Sequence, residues 1–397
     1  MRLSDCYSID DLRLAARSRL PRGLFNFIDY GVEDNVAPKA NRAAFGELKL
    51  RDRVLAELGD VDLGTDLFGK RAAFPYAISP TAAPGLCWYD GEVELAKAAA
   101  AVGVPISLAT GSVAPMERLI GEAGCRLWFQ VVVWRDRELT YSQIKRAREA
   151  GAEALIVTVD SGISSNRAHN QRSGFAVPFR LNRRNVPDLL LHPRWLFGVM
   201  GRYVANGGVP RHINYPPGYQ SSILRRMGDG KVLHGMRSKD AGWQDIARIR
   251  DLWPGPLIVK GLQRPDDALR AVEQGAQGIV ISNHGGRHMD AAPASLDVLP
   301  DIVAAVKGKA TIILDSGIRR GTDIVKAIAL GADAVMAGRP TVYGVAAGGR
   351  AGAEAALNIL KKEYMQTLGF VGCRTTAEIT RDVLGPSLGA AARSLER

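Results

Sequence analysis

Gly278-Ile279-Val280-Ile281-Ser282-Asn283-His284-Gly285-Gly286-Arg287 is the stretch on which the reading of this chain turns. It begins as an apolar, β-branched run and breaks abruptly into a polar loop. A short apolar run bounded by turn residues reads as a parallel strand buried on both faces. Gly285 and Gly286 let the backbone turn sharply and approach a ligand closely. An imidazole and a guanidinium, three residues apart, therefore stand at the C-terminal end of a strand. That is the end at which α/β barrels carry their chemistry.

Similar runs recur on both sides. Strands are predicted near Pro75–Ser79, Pro105–Ala109, Trp128–Val133, Leu155–Asp160, Pro256–Lys260, Gly278–Ser282, Thr311–Asp315 and Ala334–Ala337. Helical periodicity lies between them, as in Glu92–Val102, Thr140–Ala150 and Thr322–Leu330. The last two run into Gly151 and Gly331, common helix stops. Strand and helix alternating through eight units predict an α/β fold, a closed (β/α)8 TIM barrel. One step is too long for a βα unit. Between Asp160 and Pro256 lies an insertion, roughly 175–240, rich in Pro, Gly and Arg. Residues 1–70 precede the barrel and read as a mostly helical cap. The tail after Gly344 reads as an Ala-rich helix and then a weakly patterned stretch. The whole chain, 1–397, reads as one domain.

Hydrophobic content of 46% and charged content of 23% are ordinary globular values. Cys6, Cys87, Cys125 and Cys373 form no paired motif, which fits reduced thiols in a cytosolic protein. No signal-peptide pattern follows Met1, and no stretch of about 18 apolar residues marks a membrane span. The net charge of +11 is concentrated: residues 175–240 hold eleven Lys and Arg against three Asp. Such asymmetry predicts an anionic surface as partner. No nucleic-acid motif accompanies it, and no nucleic-acid partner is expected.

Polar groups gather at the strand ends. Strand one leads into Thr81 and Ala82, strand two into Thr110, and strand three carries Gln130. Strand four ends at Thr158 and Asp160, with Arg167 shortly after. Strand five ends at Lys260, strand six at His284 and Arg287, strand seven at Asp315, Gly317 and Arg319, and strand eight at Gly338 and Arg339. Gly317 and Gly338 allow backbone N–H groups to face an anion, and Arg319 and Arg339 can bind it bidentately. Barrels often hold phosphate after strands seven and eight. Lys260 at the end of an apolar strand faces the mouth, where an unpaired ammonium is costly, so an anion or electron-rich ring is expected opposite it. Asp160 beside His284 reads as a base and its orienting carboxylate, with the carboxylate raising the imidazole's pKa.

These motifs resemble the FMN-dependent 2-hydroxy acid dehydrogenases and oxidases, the family of glycolate oxidase, bacterial lactate dehydrogenase and mandelate dehydrogenase. The similarity runs from Leu20-Pro21 to about Cys373. The resemblance implies FMN at the C-terminal mouth and oxidation of a 2-hydroxy acid to its 2-oxo acid. It implies His284 as base, Asp160 as its support, and Arg287 and Arg167 as clamps on the substrate carboxylate. Lys260 would lie near the flavin N1–O2 edge, with Thr81 and Ala82 against the ring. Thr110, Gln130 and Thr158 would contact the isoalloxazine or its linker, Asp315 the ribityl chain, and Gly317, Arg319, Gly338 and Arg339 the phosphate. It also implies a homo-oligomer, a tetramer by family habit.

The chain departs from the family pattern at substrate-binding positions. Phe27 and Val132 stand where the family usually has tyrosines, so two phenolic hydroxyls are missing. Two readings follow: drift compensated elsewhere, or a substrate larger and more apolar than glycolate or lactate. His288 stands where a Gln is usual. The departures leave room for two other functions, an FMN-dependent tailoring oxidation or isomerisation of another substrate, and a non-catalytic flavin-binding module. Within the insertion, Leu189–Tyr203 resembles the membrane-contacting segment of mandelate dehydrogenase. Trp, Phe and Leu flanked by Arg suit an interfacial helix on anionic lipid. The other reading is a lid helix whose Trp195 and Phe197 pack on the barrel. A cytoplasmic protein, peripheral on the inner face of the cytoplasmic membrane, with quinone, oxygen or another acceptor, is the expectation.

Overall fold

The structure is a computed structural model that describes residues 2–175, 179–223 and 238–385. Eight parallel strands close into a barrel: β3 (Tyr76–Thr81), β4 (Ile106–Ala109), β5 (Leu127–Val131), β6 (Ala154–Thr158), β7 (Leu257–Leu262), β8 (Gly278–Ile281), β9 (Thr311–Asp315) and β10 (Ala334–Ala337). They are hydrogen-bonded in chain order, and β10 closes the ring onto β3. Each predicted run is a barrel strand, with ends shifted by one or two residues. Pro75, Pro105 and Pro256 fall just before their strands, where a missing N–H costs no ladder bond. The barrel interior is filled by Ala77, Trp128, Ala154, Ile156, Ile258, Val280, Ile313, Ala334 and Met336. The alternate residues, such as Leu155, Val157, Val259 and Ile279, pack outward under the helices. Both faces are dry, which is why the strands read as continuous apolar runs.

A short antiparallel hairpin, β1 (Thr65–Leu67) and β2 (Lys70–Ala72), plugs the N-terminal end of the barrel. Phe68 and Gly69 turn it with φ of 55° and 76°, as a two-residue hairpin turn requires. The Phe68 ring meets Trp128 edge-on at 5.5 Å. Gly278 makes room for it, because a Cβ there would come within 2.6 Å of the Phe68 ring.

Before the hairpin, residues 1–70 contribute helices Ile9–Arg19, Arg22–Asp29 and Val36–Glu47. Residues 48–64 form no helix. The last long helix, Arg339–Val371, starts directly after Gly338 and breaks at Gly348 and Gly349. In the insertion, the described residues form short helical turns, among them Val186–Leu190, Pro193–Trp195 and Arg202–Ala205, with a π-helical turn Leu196–Gly201 between the last two. Residues 224–237, which carry Arg225, Arg226, Lys231 and Arg237 of the basic excess, lie outside the described residues. No helix among the described residues is long and apolar enough to cross a membrane.

Candidate active site

Strand periodicity builds the site. Two positions beyond an inward core residue, the next side chain on the same face lies at the C-terminal mouth. Ala77 leads to Ser79, Trp128 to Gln130, Ile156 to Thr158, Ile258 to Lys260, Val280 to Ser282, Ile313 to Asp315 and Met336 to Gly338. Thr158 and Lys260 are register partners across β6 and β7. A ring of polar groups therefore sits directly on an apolar floor.

Lys260 is 2% exposed. Its ammonium lies 2.9 Å from Asp315 Oδ2 and donates to Ser282 Oγ at 3.0 Å. Ser282 Oγ donates to the same carboxylate at 2.6 Å, and Ser79 Oγ donates to its other oxygen at 3.0 Å. Burial alone would raise the Asp315 pKa. The Lys260 charge and the Ser282 hydrogen bond outweigh it and hold the carboxyl below its ordinary value. The two residues expected to contact different parts of the cofactor thus form one buried ion pair. Ser79 and Ser282 complete it and were not among the expected site residues. Counting by two from Ala77 and Val280 would have found them.

His284 takes a left-handed backbone, φ 58°, at the turn out of β8. Its Nδ1 lies 3.0 Å from Asp160 Oδ1 and 3.2 Å from Oδ2. Gly261 makes this approach possible, since a Cβ on it would stand 2.6 Å from Asp160 Cγ, and its φ of 109° excludes most residues anyway. Burial would raise the Asp160 pKa, yet His284, Lys260 and His288 overcome it and keep the carboxylate ionised. Asp160 raises the His284 pKa as expected, but the net shift is downward. Burial depresses its pKa, Asp160 opposes that only in part, and Lys260 and Arg287 add to the depression. The lowered pKa favours the neutral imidazole, the form a general base requires. His288 stacks edge-on against His284 with ring centroids 4.2 Å apart, and its Nε2 is 3.9 Å from Asp160.

The arginines surround the same opening. Arg287 donates to Phe27 O at 2.6 Å and Tyr30 O at 3.2 Å, and lies 5.0 Å from the Phe27 ring centroid. Arg167 lies 5.8 Å from the same ring. Both guanidiniums thus lie against the Phe27 ring, which offers no hydroxyl. Burial, then Arg167 and Arg339, push the Arg287 pKa well down. Nearby His169 is pushed down to about 4 by burial and by the Arg287 and Arg167 charges. An anion would relieve this repulsion. Arg339 donates to Ile28 O, Tyr30 O and Gly285 O, so it also ties the N-terminal segment to the His284 loop. Arg319 lies 5.9 Å from the Tyr343 ring centroid. Among the described residues, no carboxylate is within ion-pair distance of Arg287, Arg319 or Arg339. Thr110 N donates to Gln130 O at 3.1 Å, joining the ends of β4 and β5. Thr81 and Gly338 touch so closely that a Cβ on Gly338 would stand 2.5 Å from Thr81 Cγ2. Gly317 has φ 91°. Val132, just past β5, is buried with Trp134 and Tyr215.

This donor set fits FMN. Arginines without carboxylate partners stand at the ends of β9 and β10 for a phosphate, and a buried cation with amide and hydroxyl groups lines the floor for a polar ring. A barrel with such a floor, a carboxylate-oriented imidazole and an arginine-ringed mouth defines a flavin-type oxidoreductase for an anionic substrate. The model of the FMN-dependent dehydrogenase family matches residues 16–386, and the chain belongs to that family. The L-lactate dehydrogenase of Xanthomonas campestris pv. campestris (strain 8004) is 39% identical over 376 residues, covering 94% of this chain and 95% of that one. The L-lactate dehydrogenase of Pectobacterium atrosepticum has the same identity and coverage. Among solved structures, the monotopic membrane protein (S)-mandelate dehydrogenase superposes with a TM-score of 0.88 at 33% identity, covering 96% of this chain and 99% of that one. A mandelate oxidase bound to a substituted phenylpropionic acid gives a TM-score of 0.78 at 33% identity, with 96% and 98% coverage.

Proposed function

We propose that this protein oxidises a 2-hydroxy acid with a side chain larger and more apolar than lactate's to the 2-oxo acid, on a membrane surface. The observation that carries the chemistry is the His284 imidazole, held by Asp160 through Nδ1 at 3.0 Å, at a mouth flanked by Arg287 and Arg167. Asp160 fixes the tautomer, so Nε2 is the atom that receives the substrate hydroxyl proton. The adjacent carboxylate stabilises the imidazolium that results. Arg287 and Arg167 bind the substrate carboxylate and set the hydroxyl toward Nε2. FMN held at this mouth would supply the two-electron acceptor for the hydride of the substrate carbon. Lys260 supplies a fixed positive charge beneath that site, and Asp315 keeps it in place. Thr81, Ala82, Thr110, Gln130 and Thr158 line the ring site, and Gly317, Arg319, Gly338 and Arg339 the phosphate site. Phe27, Phe175 and Val132 make the substrate side apolar, with the Phe27 and Phe175 rings 5.4 Å apart. Mandelate-type acids match that wall.

The insertion supports the membrane part. Trp195 is buried and donates to Leu86 O at 2.8 Å, so it packs on the barrel. Phe197 points the other way, 71% exposed, as do Leu190, Leu191 and Val204. Arg180, Arg183, Arg184, Arg194 and Arg202 are exposed around them. An apolar ridge in a basic field suits the inner face of a cytoplasmic membrane, and a membrane quinone is then the natural acceptor.

The purified holoprotein should be yellow and should bleach anaerobically with (S)-mandelate or a long-chain 2-hydroxy acid more readily than with L-lactate. A protein that takes up FMN but is reduced by no 2-hydroxy acid overturns the reading. It should also sediment with phosphatidylglycerol vesicles and not with phosphatidylcholine vesicles, and L191D/F197D should abolish this while leaving flavin reduction intact. Equal sedimentation of the variant would remove the membrane part alone.

A further inference from the structure

We infer that Tyr215, carried by the insertion, is a substrate-contacting residue that supplies the phenolic hydroxyl that Phe27 and Val132 do not provide. The inference deepens the 2-hydroxy acid reading and rests on it. Tyr215 is 6% exposed and packs with Val132 and Trp134. Its ring meets Trp134 edge-on at 5.7 Å and stacks on His212 at 4.9 Å. The hydroxyl end is directed to the loop after β4: a Cβ on Gly111 would stand 3.9 Å from Tyr215 Oη and 3.2 Å from Ala82 Cβ. The phenol therefore approaches over the absent side chain of Gly111, beside the end of β3. In the closed barrel order β4 lies opposite β8. Tyr215 consequently stands across the mouth from His284 and Arg287, where a substrate clamped on that side would present its other groups.

The segment that carries Tyr215 is fixed to the barrel rather than draped over it. His212 Nδ1 is 2.7 Å from Gly111 O. Asn214 accepts from Met116 N at 3.2 Å and donates to Ala114 O at 2.8 Å. Gln143 donates to Asn214 O at 2.7 Å, and Arg146 to Ile213 O at 3.1 Å. A site group needs such support to hold its geometry. The buried phenol gives the mouth one aromatic wall for an apolar side chain and one hydrogen-bond donor for a substrate oxygen. A carboxylate or developing carbonyl oxygen is the acceptor it suits.

The test is Tyr215→Phe, which keeps the ring and removes the hydroxyl. Phenylglyoxylate is titrated into the oxidised holoenzyme and followed by the visible flavin spectrum, alongside KM, kcat, FMN content and Tm. Loss of one hydrogen bond to a charged oxygen predicts about 10- to 100-fold weaker phenylglyoxylate binding and a matching fall in kcat/KM. FMN content and Tm should stay at wild-type values. Phenylglyoxylate affinity equal to wild type overturns the inference, and so does an effect confined to Tm or FMN content, which would make Tyr215 a support for its loop. Reduction of the wild-type flavin by a 2-hydroxy acid tests the underlying function separately, because the phenylglyoxylate titration does not depend on turnover.

Discussion

Nδ1 of His284 lies 3.0 Å from Oδ1 of Asp160, although the two are 124 residues apart in the chain. Asp160 leaves the end of β6 and His284 the end of β8, and Gly261 on the strand between them has no side chain to keep them apart. In the proposed mechanism the pair is a base whose neutral form is favoured at rest and whose charged form is supported once it has taken a proton. This predicts the pH profile. The imidazole accepts a proton only above its pKa, and burial has lowered that pKa. The acid limb of kcat/KM should therefore fall below the ordinary histidine value of about 6.5. Asp160→Asn removes the one influence that raises it. The limb should move further toward acid while kcat drops by about 10²- to 10⁴-fold. A limb above 6.5 in the wild type contradicts this assignment.

Gly261→Ala should damage catalysis without touching a reacting group. The new methyl would meet Asp160 Cγ at 2.6 Å, at a φ of 109° that alanine resists. A displacement of about 1 Å at a catalytic pair can cost roughly 10²-fold in rate. Steady-state kinetics with FMN content checked should show kcat lowered by that order and flavin retained.

Lys260→Met should act on stability and cofactor together. It leaves Asp315 buried with only serine partners, and breaking a buried ion pair from one side costs about 3–5 kcal/mol. Urea unfolding of the apoprotein should show the loss, and equilibrium dialysis should show weaker FMN uptake. Lys260→Met with D315N should recover part of the stability but not the FMN affinity.

Glu92 offers a control outside the proposed catalytic residues. It is 2% exposed, and burial pushes its pKa up to about 7. In the unfolded chain the carboxyl ionises near 4.3. Folding is therefore penalised increasingly as pH rises from that value to 7, and the penalty is fully present above 7. Glu92→Gln should stabilise the protein by about 2–3 kcal/mol at pH 8 and by much less at pH 5. Thermal unfolding at the two pH values decides it, and an equal Tm change at both would contradict the buried-acid account.

The barrel was legible because each strand is buried on both faces and says so in a continuous apolar run ended by Gly or a polar residue. The candidate site was legible where a polar residue ends such a run, as with Lys260, Asp315 and His284, which the structure gathers at the mouth. What escaped reading had weaker local signals. The β1–β2 hairpin has three-residue strands and a Phe68-Gly69 turn in place of Asn-Gly. Ser79 and Ser282 carry no chemical signature alone and matter only because period two brings both to Asp315. The direction of the His284 pKa required knowing how deeply the ring is enclosed, since Asp160 by itself argues for the opposite sign. Trp195 and Phe197, two residues apart, were read as sharing one fate, but the turn geometry sends one inward and the other to the surface. Tyr215 lies in an aperiodic Pro- and Gly-rich segment, where only the folded chain shows what it covers.

The central claim is that His284 is the proton acceptor for 2-hydroxy acid oxidation. Anaerobic single-turnover reduction of the bound flavin by (S)-mandelate, wild type against His284→Asn, tests it most directly. The account predicts rapid bleaching in the wild type and a reduction rate at least about 10²-fold lower in the variant, with FMN content unchanged. Comparable reduction rates in both proteins would contradict it.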